Sequence, residues 1–126
     1  MAGSNTRAVQ HVQSGQVLIE QSRWCNTFLS RMRGFTFRRK LEKGEGLVLV
    51  DKQDSRVNSA ITMLFVFFDL GVIWVDGSGK IVDKKLARSW RLSYSPKEPA
   101  QYVIECHPNI LEKIQIGDHI EFISPV

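Results

Sequence analysis

The chain has 126 residues, 43% apolar and 24% charged, which suits one folded domain and excludes a disordered or collagen-like chain. Seventeen Lys and Arg against thirteen Asp and Glu leave a formal charge of +4. That excess attracts phosphate-rich partners but falls short of a dedicated nucleic-acid binder. Cys25 and Cys106 belong to no Cys-x-x-Cys pair or Cys/His cluster, so neither zinc nor thiol-redox chemistry is indicated, and both are expected as reduced packing residues.

Residues 1–6 are small and polar and are expected as a disordered tail, leaving 7–126 as a single β-rich domain. Residues 8–12 and 16–20 flank Ser14-Gly15 and read as a hairpin, since glycine accepts positive φ. Asn26 is placed to cap a helix through Met32, with Phe28, Leu29 and Met32 on its buried face. Gly34 would end that helix, and Arg31 and Arg33 occupy its last turn, where positive charge suits the dipole.

Gly44-Glu45-Gly46 punctuates the chain before the apolar strand 47–50, and 51–58 reads as a polar connection. Residues 61–75 form the longest apolar stretch, but fifteen residues interrupted by Asp69 and Gly71 are too few for a membrane span, which needs about 20. They read instead as strands 61–68 and 72–75. Asp76-Gly77-Ser78-Gly79 is a hairpin turn into strand 80–83, with Gly77 and Gly79 setting its register. A proline-bearing loop at 93–99 precedes strand 102–106. Pro108 starts a short helix with Ile110, Leu111 and Ile114 on its apolar side, and 119–123 is the last strand.

The expected class is α+β, mostly β: a compact barrel-like antiparallel sheet of about seven short strands with two short helices. Within strand 72–75, Trp74 shares a face with Val72, while Ile73 and Val75 point the other way. Trp74 is expected in the core near Phe28 and Met32; the competing reading makes it a stacking platform in an open groove.

Arg31-Met32-Arg33-Gly34-Phe35-Thr36-Phe37-Arg38, then Gly46-Leu47, resembles the signature of the domain-of-unknown-function family numbered 192, also called uncharacterised protein family 0127. Two further blocks match in order: Ile61-Thr62-Met63-Leu64-Phe65 through Trp74-Val75-Asp76 with Gly79 and Val82, and Glu105 followed by Ile116-Gly117-Asp118-His119-Ile120. The likeness runs from about Gln16 to Phe122 and implies architecture rather than a reaction: a small soluble β-rich domain of bacteria and archaea. It also implies a departure, since Asp69-Leu70-Gly71 stands where members commonly carry Pro-x-Asp. Members often carry polar groups before the first central strand, where this chain has residues 58–62, and Thr62 is a candidate there.

The most suggestive segment is 31–40, in which Arg31, Arg33, Arg38, Arg39 and Lys40 interleave with Phe35 and Phe37. Arginine offers paired donors to phosphate or carboxylate, and an aromatic ring between cations can stack on a ligand. The plainer account makes both Phe core and pairs the cations with Glu42, Glu45 and Asp54. His11, His107 and His119 have no ligand spacing, so no metal is expected, and no cofactor. No serine elbow or phosphate loop is present. Asp69, Asp76, Asp83 and Asp118 stand at strand ends, where Asp serves local backbone bonds.

The sequence thus favours a binding or accessory module for an anionic small ligand or partner protein, with Arg31, Arg33, Arg38, Arg39, Thr62 and Trp74 as candidate contacts. Nucleic acid is the weaker candidate partner. The alternative is an enzyme whose groups converge from distant segments. The polar start has no apolar leader core, which points to a cytoplasmic protein that binds no membrane.

Overall fold

The computed structural model describes residues 5–36, 38, 40–42 and 44–124, with only the backbone given at Phe28 and Leu29. Among them are seven strands: β1 (Thr6–His11), β2 (Val17–Cys25), β3 (Glu45–Ser55), β4 (Leu70–Val75), β5 (Ile81–Ala87), β6 (Ala100–Cys106) and β7 (Ile120–Ile123). A helix, α1 (Phe28–Arg33), follows β2, and a 3-10 helix (Pro108–Lys113) follows β6. β1 starts one residue before the expected domain boundary. β3 extends through most of the stretch read as a polar connection.

The strands form one sheet in the order β5-β4-β6-β3-β2-β1-β7, curled into a half-barrel. It is mixed, because β2 and β3 run parallel while every other neighbouring pair is antiparallel. α1 supplies the crossover that a parallel pair requires. At one end the two outer strands approach. Ile81 N donates to Asp118 O, Gly117 N to Ile81 O and Ile120 N to Gly79 O, each at 2.8 Å.

β4 is buried along its whole length, so its alternating side chains feed two cores. Val72 and Trp74 join Leu47, Val103 and Phe35 on one face, whereas Ile73 and Val75 join Val48, Ile104 and Ile110 on the other. The alternation read from the sequence holds. The 3-10 helix lies so close to β4 that a Cβ on Gly71 would stand 3.1 Å from His107 O and 3.2 Å from Pro108 Cα. That approach accounts for the glycine in Asp69-Leu70-Gly71. Asp69 accepts from Ser89 N at 2.9 Å, fastening the strand's entrance to the next loop.

Segment 61–68 is the principal correction, because it is a loop and not a strand. Ile61 exchanges backbone bonds with Tyr94, and Met63 does so with Trp90 and Arg91, so its main chain is satisfied outside the sheet ladder. Phe65 has φ 61°, as Trp90 has φ 69°, and a left-handed residue interrupts an extended strand. Ile61, Met63 and Val66 close over the core, while Phe65 and Phe67 are exposed with ring centroids 5.1 and 5.5 Å from Trp90.

Thr27, not Asn26, caps α1, in a reciprocal pair with Ser30. Met32 is 65% exposed, so it does not share the buried face expected for it; in so short a helix it turns outward, and Phe35 beyond Gly34 supplies the buried ring. No helix of the described residues is long and apolar enough to cross a membrane.

Candidate functional site

Gly34 ends α1 with φ 43° and ψ −128°, a conformation open to glycine, and its N–H returns to Ser30 O. The turn carries Phe35 into the core. A cleft of about 400 Å³ opens there, between α1 on one side and residues 58–66 on the other. Arg31, Arg33, Asn58 and Thr62 supply polar lining, Phe35, Leu49, Ile61 and Val66 the apolar lining, and Glu105 is the carboxyl among the described lining residues.

The structure therefore brings together Arg31, Arg33 and Thr62 of the sequence-expected contacts. Arg31 reaches back to Asp51, Nη1 to Oδ1 at 3.4 Å, and the other oxygen of Asp51 is buried without a hydrogen-bond partner. Arg33 is exposed and forms no ion pair with a described residue. Arg38 does not line the cleft. Both its terminal nitrogens grip Glu45 at 2.8 Å, and its guanidinium lies 5.7 Å from the Phe35 ring centre. Burial works to raise the Glu45 carboxyl, but Arg38 and the Glu42 N–H together hold it below the ordinary carboxylate range. Arg39 and Phe37 lie outside the described residues. Trp74 is fully buried, and its Nε1 donates to Ser59 O at 2.7 Å; its ring belongs to the core and not to the cleft.

Glu105 entered the sequence reading only as part of the family likeness and not as a candidate contact. In the strand pairing, Arg23 of β2 stands opposite Leu47 of β3, and Leu47 opposite Glu105 of β6, so the three share one face in a row across the sheet. Arg23 donates to Gly34 O at 3.2 Å and lies 5.9 Å from the Phe35 ring, bracing the turn. Glu105 is 5% exposed. Burial drives its carboxyl up to about 7, against a smaller opposing pull from Arg23.

Burial raises the thiols of Cys25 and Cys106, at Cys25 against an opposing pull from Arg23, and the Glu105 charge adds to the rise in both, so neither is a thiolate nucleophile at neutral pH. Among the described residues, no three His, Cys, Asp or Glu are grouped to hold a metal. A signal for the carboxyl was present in the sequence, since Glu105 interrupts Tyr102-Val103-Ile104 and Cys106 in an apolar strand.

The profile of the family described as Uncharacterized ACR matches residues 9–122. A UPF0127 protein of Thermococcus kodakarensis is 38% identical over 100 residues, covering 78% of this chain and 62% of that one. A second, from Pyrococcus furiosus, is 28% identical over 114 residues, covering 89% and 95%. The chain thus spans less than two thirds of the length of the Thermococcus kodakarensis relative. Among solved structures, a Sinorhizobium meliloti protein described as a candidate transcription regulator superposes with TM-score 0.80 at 16% identity over 97% of both chains. A Novosphingobium aromaticivorans protein of unknown function superposes with TM-score 0.73 at 17% identity, covering 92% of this chain and 83% of that one. Likeness at that identity concerns the fold alone.

Proposed function

The chain belongs to the domain-of-unknown-function family 192, and from that premise we propose that it is a binding module for a small ligand carrying an anionic group. The observation that carries this reading is the cleft beside α1, where two arginines from one helical turn face apolar walls. A guanidinium offers paired donors to an oxyanion, while Phe35, Leu49, Ile61 and Val66 take an apolar body. Arg33 is the freer cation, because Arg31 is shared with Asp51. Two buried, unbridged cysteines accord with action in the cytoplasm.

Anions that bind the folded chain raise its melting temperature. A panel of phosphate and short carboxylates should therefore shift the melting of the wild type and shift R31A/R33A much less. Added salt should weaken the effect. R91A removes an exposed charge on another loop and should leave it unchanged. Equal shifts in R31A/R33A and the wild type would show that the cleft is not the site. The enzyme alternative draws on one observation, a buried carboxyl that titrates near neutrality, as general acids and bases do. It lacks a second group, since the described lining holds no histidine, cysteine or second carboxyl. Mass spectrometry of a bound ligand recovered intact separates binding from turnover.

A further inference from the structure

Glu105 lines the cleft with a carboxyl that no described residue hydrogen-bonds. It is 5% exposed, and among the described residues Arg23 is the charge that acts on it, with no hydrogen bond to its carboxyl; unlike Asp51 Oδ2, its oxygens are not sealed off but open on the cleft. Gly34 lies directly against it, so that even a Cβ there would come within 3.7 Å of Oε1. The charged and titratable groups around it are Arg23 and Cys25 from β2, Cys106 beside it on β6, and Arg31 and Arg33 from α1. β3 and β4 present the apolar Leu47 and Val72 opposite it. The loop 58–66 offers the neutral Asn58 and Thr62 to the cleft.

A buried carboxylate with no donor is costly, whereas the neutral acid is much less so. The neutral acid, however, carries an O–H that needs an acceptor. Among the described residues none supplies one, and the group lines a cavity from which one can come. An oxyanion meets that need best, because a hydrogen bond from a neutral acid to a charged oxygen is short and strong. The apolar lining argues against a bare inorganic ion and for a ligand with a hydrocarbon body.

Resting on the binding reading above, we propose that the cleft takes a monocarboxylate with an apolar body, whose head group shares one proton with Glu105. At a pH where free Glu105 is ionised, the balance is one ligand anion plus one proton taken up from solution. No bond other than that to the proton is made or broken. Burial places the change-over near neutrality, Glu105 being pushed up to about 7.

Octanoate is a suitable probe, because it stays ionised across the range that matters. Its binding to the full chain, measured by calorimetry from pH 6 to 9, should be strongest at pH 6 and should weaken roughly tenfold per pH unit above neutrality. Runs at pH 8 in buffers of different ionisation heat should show about one proton taken up per octanoate. E105Q keeps an N–H donor without titrating, so it should bind with a flat pH profile. Octanoate binding that is pH-independent and releases or takes up no proton overturns the role of Glu105 and leaves the binding reading standing. Phosphate binding without octanoate binding overturns the monocarboxylate class, and binding of neither probe at any pH overturns both. The wild-type proton count needs no variant, so a poorly folding E105Q does not protect the idea.

Discussion

Replacing Glu105 with Gln should change how the empty protein's stability depends on pH. Below about pH 4.5 the carboxyl is protonated in both folded and unfolded chains and contributes no pH dependence. Between there and about 7 the unfolded chain releases its proton while the buried group retains it, so stability declines as pH rises through that window. Above it the loss is complete. A rise from 4.5 to about 7 corresponds to about 3 kcal/mol at 1.36 kcal/mol per pH unit. That is a large part of the ~5–15 kcal/mol typical of a domain of this size. Urea denaturation at pH 4, 6 and 8 for the wild type and E105Q reads the effect as a difference between the two curves. Other groups titrate in both proteins and cancel, and the cost of burying the amide shifts E105Q by a constant. Stability of E105Q relative to the wild type should therefore rise from pH 4 to pH 8 by about that amount. A gap that stays constant with pH would refute a buried carboxyl raised toward neutrality at this position.

Trp74 is fully buried and its Nε1 holds Ser59 O, so Trp74→Ala should cost roughly 3–5 kcal/mol by denaturation. Trp74→Phe should lose about 1–3 kcal/mol, chiefly for the stranded carbonyl. A loss under 1 kcal/mol (by the same scale) for Trp74→Ala would remove it from the core. At the β4–β5 turn, Gly79 has φ +93° and a Cβ there would meet Ile120 O at 2.9 Å, whereas at Gly77 it would meet side-chain ends alone, Gln101 Oε1 at 2.7 Å and the Asp54 carboxylate at 3.6 and 3.8 Å. Gly79→Ala should thus cost on the order of 1 kcal/mol or more and Gly77→Ala distinctly less; equal losses would contradict this account of the turn.

Much of the local structure was legible without coordinates. The glycine stop after Arg33, the Asp76–Gly79 turn and the two-sided burial of residues 72–75 follow from backbone sterics and side-chain alternation, which operate over a few residues. The Asp76 carboxylate shows how local such rules are, accepting from Ser78 N, Ser78 Oγ and Lys80 N at 2.6–3.0 Å within its own turn. Segment 61–68 misled because apolar, aromatic composition suits either a strand or a core-covering loop. The choice depended on residues 90–94, some thirty positions away, which take up its backbone bonds.

The candidate site divides the same way. Sequence alone determined that Arg31, Gly34 and Phe35 would lie close together, since they share a helix end. It determined too that Glu105 sits within an apolar strand and that its neighbours Ile104 and Cys106 face away from it. Only the tertiary structure decided that Arg23, Leu47 and Glu105 form one row, because the parallel β2–β3 pair and the antiparallel β3–β6 pair set them side by side. Backbone hydrogen bonds are chemically alike for every strand and carry no label for a partner. Lateral order is settled instead by which faces bury together once the whole chain closes, and that closure turned a strand glutamate into a carboxyl lining a cleft.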